Sequence, residues 1–497
     1  MRESPGNSTE QTSLHKRWRA IACSYAIYLL VYASVSLRTG LHWDEVLDFD
    51  GSAYDTYIAA GRWLTGAWRA FSGSWEPAWL PGFASGLVLS ALVCAQSSML
   101  GLRDAWKKWT FIVLYFGSVQ WASVLHYSFL VESIAIGMCC ATAAAWLCFK
   151  PGWKSGVAAA LLLGVALGAY QTLTLYFGVA WLLLRLSKLR RGEEAYSLRP
   201  WIRMACISAC GIAVWFAVHR VSLLFVPQEA LDYVQQYQEG MSQWGTILSP
   251  GPMAEKAMCL AHYFKESVCN ALGVGEGTYW LLTASALPMA GIIWQALRSS
   301  KGLPRWEQCL DALLIWWVPF SLTALLLTGQ GFHTALAAPL SFAGMWMAWL
   351  AGARLEKRHV YTLAIIGAGL VAAGAAAVYA QAREEAGLHR NSIALITAMQ
   401  ERGAACARAA GQPEAPIVVL ADIPREATDF CGAYPMVAGT GCMNWYCRAY
   451  GIQNMRMGTV ADRERHKACY EAMPSWPAEG CVRMDGGEVI IKAVQKK

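Results

Sequence analysis

The sequence predicts an all-α polytopic membrane protein of about eleven transmembrane helices, followed by a small C-terminal α/β domain outside the membrane. Three observations lead there. Hydrophobic residues make up 56% of the chain and charged residues only 15%, against about 25% charged in an ordinary soluble domain. Apolar stretches recur along residues 20–380, and each crossing needs roughly 20 residues. Lys and Arg gather in every second short loop between them, the pattern of cytoplasmic loops. The net charge of +7 is therefore a topological signal and does not point to a nucleic-acid partner.

Residues 1–19 are polar and basic and read as a cytoplasmic N-terminus. No small-residue cleavage site follows an apolar core of suitable length, so the first span, 20–37, is expected to stay as a signal anchor. Residues 38–80 form a large outer loop rich in Trp, Tyr and acids. Spans follow at 81–100, 109–125 and 128–148, with Arg103, Lys107 and Lys108 after the second and Lys150 and Lys154 after the fourth. Residues 155–185 are ambiguous between one long helix and two short ones. Basic residues stand on both sides, with Arg185, Lys188, Arg190 and Arg191 at the far end. Both flanks then lie inside, and the number of crossings must be even. Two helices, 155–169 and 171–185, meet at Tyr170 and Gln171 near the outer face. Each is short for a full span, so the tip must be sunk in protein or a water-filled cavity, because broken helix ends cannot face lipid.

The seventh span, 201–225, leads into a second large outer loop, 226–277. Spans at 278–297, 309–328, 334–352 and 360–380 complete the transmembrane domain, 20–380, with Arg298, Lys301, Arg305, Arg354, Lys357 and Arg358 on the inner side. An odd number of crossings places residues 381–497 outside. This tail has an amphipathic helical start at 392–402 and strand-like runs at 417–421 and 488–494. Of the 16 cysteines, Cys406, Cys431, Cys442, Cys447, Cys469 and Cys481 lie in the tail, and Cys259 and Cys269 in the second outer loop. An outer compartment is oxidising, so disulfides are expected there; scattered free thiols are the alternative. The tail has no CxxC pair, which argues against zinc.

The first outer loop carries Asp44 and Glu45, followed by Gly61-Arg62-Trp63. A carboxylate near the membrane surface can take a proton from an acceptor hydroxyl, and an arginine can hold a phosphate through paired hydrogen bonds. A solvated acidic loop is the plainer reading. Glu132 lies a few residues into the fourth span, where a carboxylate is either functional or part of a structural ion pair. Tyr170 and Gln171 either contact substrate or satisfy the broken helix ends. Arg220, after His219 near the end of the seventh span, meets a lipid phosphate or snorkels to headgroups. His333, in the tight turn between spans nine and ten, faces a phosphate or is incidental. No Walker loop, dinucleotide fingerprint or HExxH helix is present, which argues against a nucleotide-powered pump.

The acidic pair after the first span, Gly61-Arg62-Trp63, Gly168-Ala169-Tyr170-Gln171, and the stretch from Ala382-Arg383-Glu384-Glu385 to Asn391-Ser392 form a recognisable order. It resembles the membrane glucosyltransferases that decorate bacterial O-antigen, the serotype-converting Gtr-type family often carried by phages. The likeness is expected to run nearly the full length, weakest in the tail. This family is similar to the GT-C class of glycosyltransferases. The resemblance implies a bacterial inner-membrane enzyme that uses a polyprenyl-phosphate sugar as donor and a surface polysaccharide as acceptor on the periplasmic face. It implies Asp44 or Glu45 as the base and Arg62, Tyr170 and Gln171 at the substrate, with His333 where a basic residue is expected. A divalent cation bridging phosphate and acids is compatible but not required. A sister transferase using another lipid-linked sugar is the nearest alternative. A lipid-sugar transporter predicts inverted repeats and mid-span charges, and neither is evident here.

Overall fold

The computed structural model describes residues 7–37, 53–72, 79–118, 121–125, 128–194, 197–241, 288, 290–291, 293–294, 336–351, 357–422, 447, 451–452 and 454–494. Asp44, Glu45, His333, Cys259, Cys269, Cys431 and Cys442 lie outside these residues, as do nearly all of the expected spans 278–297 and 309–328. The described residues fall into two compact units, one ending at residue 381 and one beginning at residue 382.

The first unit is helical. In chain order it holds α1 (Asn7–Ser36), α2 (Ala53–Ala59), α3 (Trp63–Ser72), α4 (Trp79–Met99), α5 (Ala105–Phe116), α6 (Trp121–Leu125), α7 (Ser128–Leu147), α8 (Trp153–Ala169), α9 (Leu173–Arg190), α10 (Arg199–Ser222), α11 (Gln228–Met241) and α12 (Ala338–Ala351). It closes with the first part of α13 (Lys357–Ala409). Among the described residues, five helices are long and apolar enough to cross a membrane: His15–Ser36, Leu80–Met99, Leu130–Leu147, Arg199–Phe225 and Val360–Ala380. These coincide with five of the expected spans. The expected span 109–125 is instead two pieces, because α5 ends in a turn where Gly117 N–H bonds Val113 O at 2.8 Å and Ser118 Oγ bonds Tyr115 O at 2.7 Å.

Helix α7 is the hub, with α3, α4, α6, α8 and α9 packed around it. Small residues allow close approach, as membrane interfaces commonly require. A Cβ at Gly137 of α7 lies 2.5 Å from Leu173 and 3.0 Å from Ala169, and one at Gly164 of α8 lies 2.6 Å from Val214 of α10. On α4, Gly82 and Gly86 take α1 the same way. Tyr28 donates to Gly82 O at 2.8 Å and its ring rests on Gly86.

Helices α8 and α9 are separate, and the break falls at Tyr170, whose backbone is extended (φ −159°, ψ 124°). The tip lies beside Gly137, nine residues into α7, or about 13 Å along its axis. The basic loops gather at the far end of the hairpin. There Arg191 donates to Leu100 O at 2.8 Å, Arg203 donates to Ser155 Oγ at 2.8 Å, and Lys188 lies over the Phe149 ring at 5.5 Å.

The second unit contains the rest of α13, then β1 (Ile417–Asp422), β2 (Met455–Met457), α14 (Val460–Arg465), α15 (Lys467–Ala472), β3 (Val482–Asp485) and β4 (Glu488–Val494). The strands form one sheet in the order β2-β1-β4-β3. Strand β1 is parallel to β2 and β4, and β3 and β4 form an antiparallel hairpin. Strand alternation gives the sheet two apolar faces. Ile417, Val419, Val489 and Ile491 pack on Ile396, Met399 and Ala407 of α13. Val418, Leu420 and Ile490 pack on Tyr470 and Met473. The helix expected to start at 392 is instead the far end of α13, because residues 381–392 hold no proline and continue the helix-forming Ala, Arg and Glu pattern. Cys406, Cys447, Cys469 and Cys481 are free thiols, so the disulfides expected in the tail do not form among these four.

Candidate active site at the tip of a short helical hairpin

Helix α2 ends in a Schellman turn: Arg62 N–H bonds Tyr57 O at 2.8 Å and Gly61 N–H bonds Ile58 O at 3.0 Å. Gly61 stands at the left-handed position (φ 80°), which glycine reaches without a Cβ penalty. A Cβ there also meets Gln171 Nε2 at 2.7 Å and Trp215 Cζ2 at 2.8 Å. Both side chains clamp this turn. Gln171 donates to Ala60 O at 2.7 Å and Trp215 Nε1 donates to Gly61 O at 2.8 Å.

The turn delivers Arg62 to the hairpin tip. Its guanidinium carbon lies 4.5 Å from the Tyr170 ring centre, and Nη2 is 3.5 Å from the Tyr170 hydroxyl. This is a cation held over an aromatic face, at the C-terminal end of α8, where the helix dipole favours positive charge. Arg62 Nε is buried and has no hydrogen-bond partner. Trp63 packs flat on Gly168, where any Cβ collides with the indole. Thr65 Oγ1 donates to Ala169 O at 2.9 Å and shares a 2.8 Å contact with Ser133 Oγ. It thereby occupies a carbonyl left open by the break in the helix.

One turn beyond Thr65, Arg69 is 5% exposed on the same buried face of α3. It lies within electrostatic reach of Glu132, which also adjoins Trp68. Glu132 is 5% exposed, and among the described residues neither carboxylate oxygen makes a close hydrogen bond, the Trp68 indole being its nearest donor. Thr172 Oγ1, at the start of α9, is likewise buried and unpartnered.

Arg62, Tyr170 and Gln171, singled out from sequence, thus lie around one helix break, while Glu132 lies farther along the same face of α3, by Arg69 and Trp68. Arg220 is placed differently. It is exposed, with its guanidinium 4.9 Å over Phe216 of its own helix. Its neighbour His219 stacks on Trp215 at 5.6 Å. Three contributors escaped the sequence reading: Arg69, the Thr65–Ser133 contact and Trp215. Arg69 was within reach, since residues four apart share a helix face. Among the described residues, no group of three or more His, Cys, Asp or Glu is arranged to hold a metal ion.

Residues 42–265 match the family described as Glucosyl transferase GtrII. No curated protein and no solved structure matches the chain. The matched segment includes Asp44, Glu45, Arg62, Glu132, Tyr170, Gln171 and Arg220, and stops before His333 and the tail. Of the nearly full-length likeness expected from the sequence, the family match covers residues 42–265.

Proposed function

We propose, for a chain whose residues 42–265 are a GtrII glucosyl transferase domain and which is therefore a glycosyltransferase, a specific reaction. It transfers glucose from undecaprenyl-phosphate glucose to a surface polysaccharide such as the O-antigen of lipopolysaccharide. The reaction inverts the anomeric centre and takes place on the periplasmic face of the bacterial inner membrane. The observation that carries this reading is Arg62, fixed at the hairpin tip over Tyr170 with a buried Nε that no described residue satisfies. A lipid phosphate supplies the acceptor oxygens such a guanidinium lacks.

The acceptor hydroxyl attacks the anomeric carbon from the face opposite the phosphate. The new C–O bond forms as the bond from that carbon to the phosphate oxygen breaks. Asp44 or Glu45 takes the hydroxyl proton, an effect typically worth about 10²–10⁴-fold. Polyprenyl phosphate departs as an anion, its growing charge met by Arg62, with His333 assisting. The lipid tail lies between spans. The basic loops at the opposite end of the hairpin from Arg62 support a topology with those loops in the cytoplasm and the site outside. In that topology about eleven spans place residues 1–19 inside and 381–497 in the periplasm.

The test is transfer by purified full-length protein from a panel of polyprenyl-phosphate sugars to O-antigen polysaccharide, with Asp44→Asn and Glu45→Gln alongside. Glucose transfer lost in one folded variant supports the reaction and identifies the base. Transfer of a different sugar only, or none, rejects the glucose assignment.

A further inference from the structure

A carboxylate that is 5% exposed, with neither oxygen in a close hydrogen bond among the described residues, is costly to keep. Glu132 therefore needs an explanation. A structural ion pair with Arg69 does not provide it. The two groups attract each other, but no close hydrogen bond joins them, since neither Glu132 oxygen makes one among the described residues. A buried pair repays its desolvation only with close geometry and satisfied lone pairs. Nor is the position slack. The next residue, Ser133, is fixed by its contact with Thr65 at 2.8 Å and its bond to Leu130 O at 2.9 Å.

We propose that Glu132 and Trp68 form the subsite that reads hydroxyl groups of the transferred sugar, so that Glu132 is a specificity-determining residue. The inference rests on the glycosyltransferase reading above and assigns the part of the site that the phosphate-binding Arg62 leaves open. An ionised carboxylate is an acceptor only, with about four lone-pair sites, so its complement must donate. Sugar hydroxyls do this without adding charge. An ammonium group is disfavoured because Arg69 already supplies the positive charge. Trp68 Nε1 is buried, makes no close hydrogen bond among the described residues and faces the Glu132 carboxylate, so it offers one donor to a hydroxyl oxygen beside that carboxylate, and indole faces suit sugar rings. The placement fits a phosphate joined to a hexose. Arg69 of α3 lies seven residues after Arg62, which immediately precedes that helix, about two turns or ~10 Å. The pinned Thr65 contacts lie between them.

The test compares wild type, Glu132→Gln and Glu132→Asp, as full-length protein in nanodiscs. Transfer is measured from undecaprenyl-phosphate glucose and from donors lacking one hydroxyl each. Wild type should reject one or two of the deoxy donors by about 10²-fold or more in kcat/KM, the pattern of a site whose polar groups are left unpaired. Glu132→Gln should lose about 10–100-fold on the glucose donor and little on those same deoxy donors. Glu132→Asp should recover part of the discrimination and serves as the test if the Gln protein does not fold. The kcat–pH profile should keep its shape. Equal slowing on every donor, or loss of the acid limb of that profile, overturns the inference while leaving the transferase reading intact. Absence of wild-type transfer from any lipid-linked sugar overturns the reading, and the inference falls with it.

Discussion

Gly61 and Arg62 show how one turn serves both shape and chemistry. The left-handed φ of 80° and the nearness of Gln171 and Trp215 leave no room for a side chain at Gly61. Gly61→Ala should lower stability by about 1–3 kcal/mol, measured by thermal unfolding in detergent, and should slow transfer because Arg62 moves with the turn. Arg62→Lys should not rescue function. Lysine keeps the charge but loses the planar fork and the stacking on Tyr170. We expect a loss of at least about 10²-fold in kcat/KM, with unfolding temperature little changed. Wild-type-like transfer by the lysine protein would mean that charge alone suffices. Arg62 was legible because an arginine near an outer-loop acidic pair can hold a phosphate through paired hydrogen bonds. Arg69 was less so, since its importance appears only once α3 is known to lay that face on α7.

Helices α8 and α9 form a unit whose break could be deduced from charge but whose cause could not. The sequence at 168–172 holds no proline. The break is held from outside, by Trp63 on Gly168 and by Thr65 on the Ala169 carbonyl. Thr65→Val leaves that carbonyl without its side-chain donor and Ser133 with only its bond to Leu130 O. It should cost about 1–3 kcal/mol, read as a lower unfolding temperature. The tail offers a second element-scale test. His466 is 2% exposed, with Nδ1 and Nε2 each 2.8 Å from Asp485 Oδ2 and Glu488 Oε2 respectively. Burial pulls its pKa down, but the hydrogen bonds and charges of the two carboxylates outweigh this and hold it raised. Arg456, Asp462 and Arg465 complete the cluster through Glu488 and Asp462. A raised folded pKa contributes stability fully present below the unfolded value of about 6.5 and lost as pH rises through the folded value. Proteolysis within the tail of the full chain should therefore accelerate from pH 6 to pH 9, and His466→Asn should flatten that rise. A wild-type rate independent of pH would remove the role given to His466.

For the whole chain, composition and basic-loop alternation made the membrane class readable, because lipid forces long apolar helices whatever the fold. Five described helices meet that requirement. The division near residue 381 also left a trace, since the apolar run ends at 380 while the helix continues to Ala409. Finer features stayed hidden. The short strands β2 and β3 carry no alternation long enough to detect. The free thiols of Cys406, Cys447, Cys469 and Cys481 depend on separations that spacing along the chain does not encode. In the proposed reaction these scales meet at the guanidinium of Arg62, which would face a lipid-linked sugar phosphate at the hairpin tip. The most direct measurement is transfer of labelled glucose from undecaprenyl-phosphate glucose by purified protein, wild type against Arg62→Ala, with donor binding recorded in parallel. The account predicts transfer by wild type, and in the folded variant both weakened donor binding and a rate lower by about 10²-fold or more. Equal binding and transfer by the two proteins would contradict it.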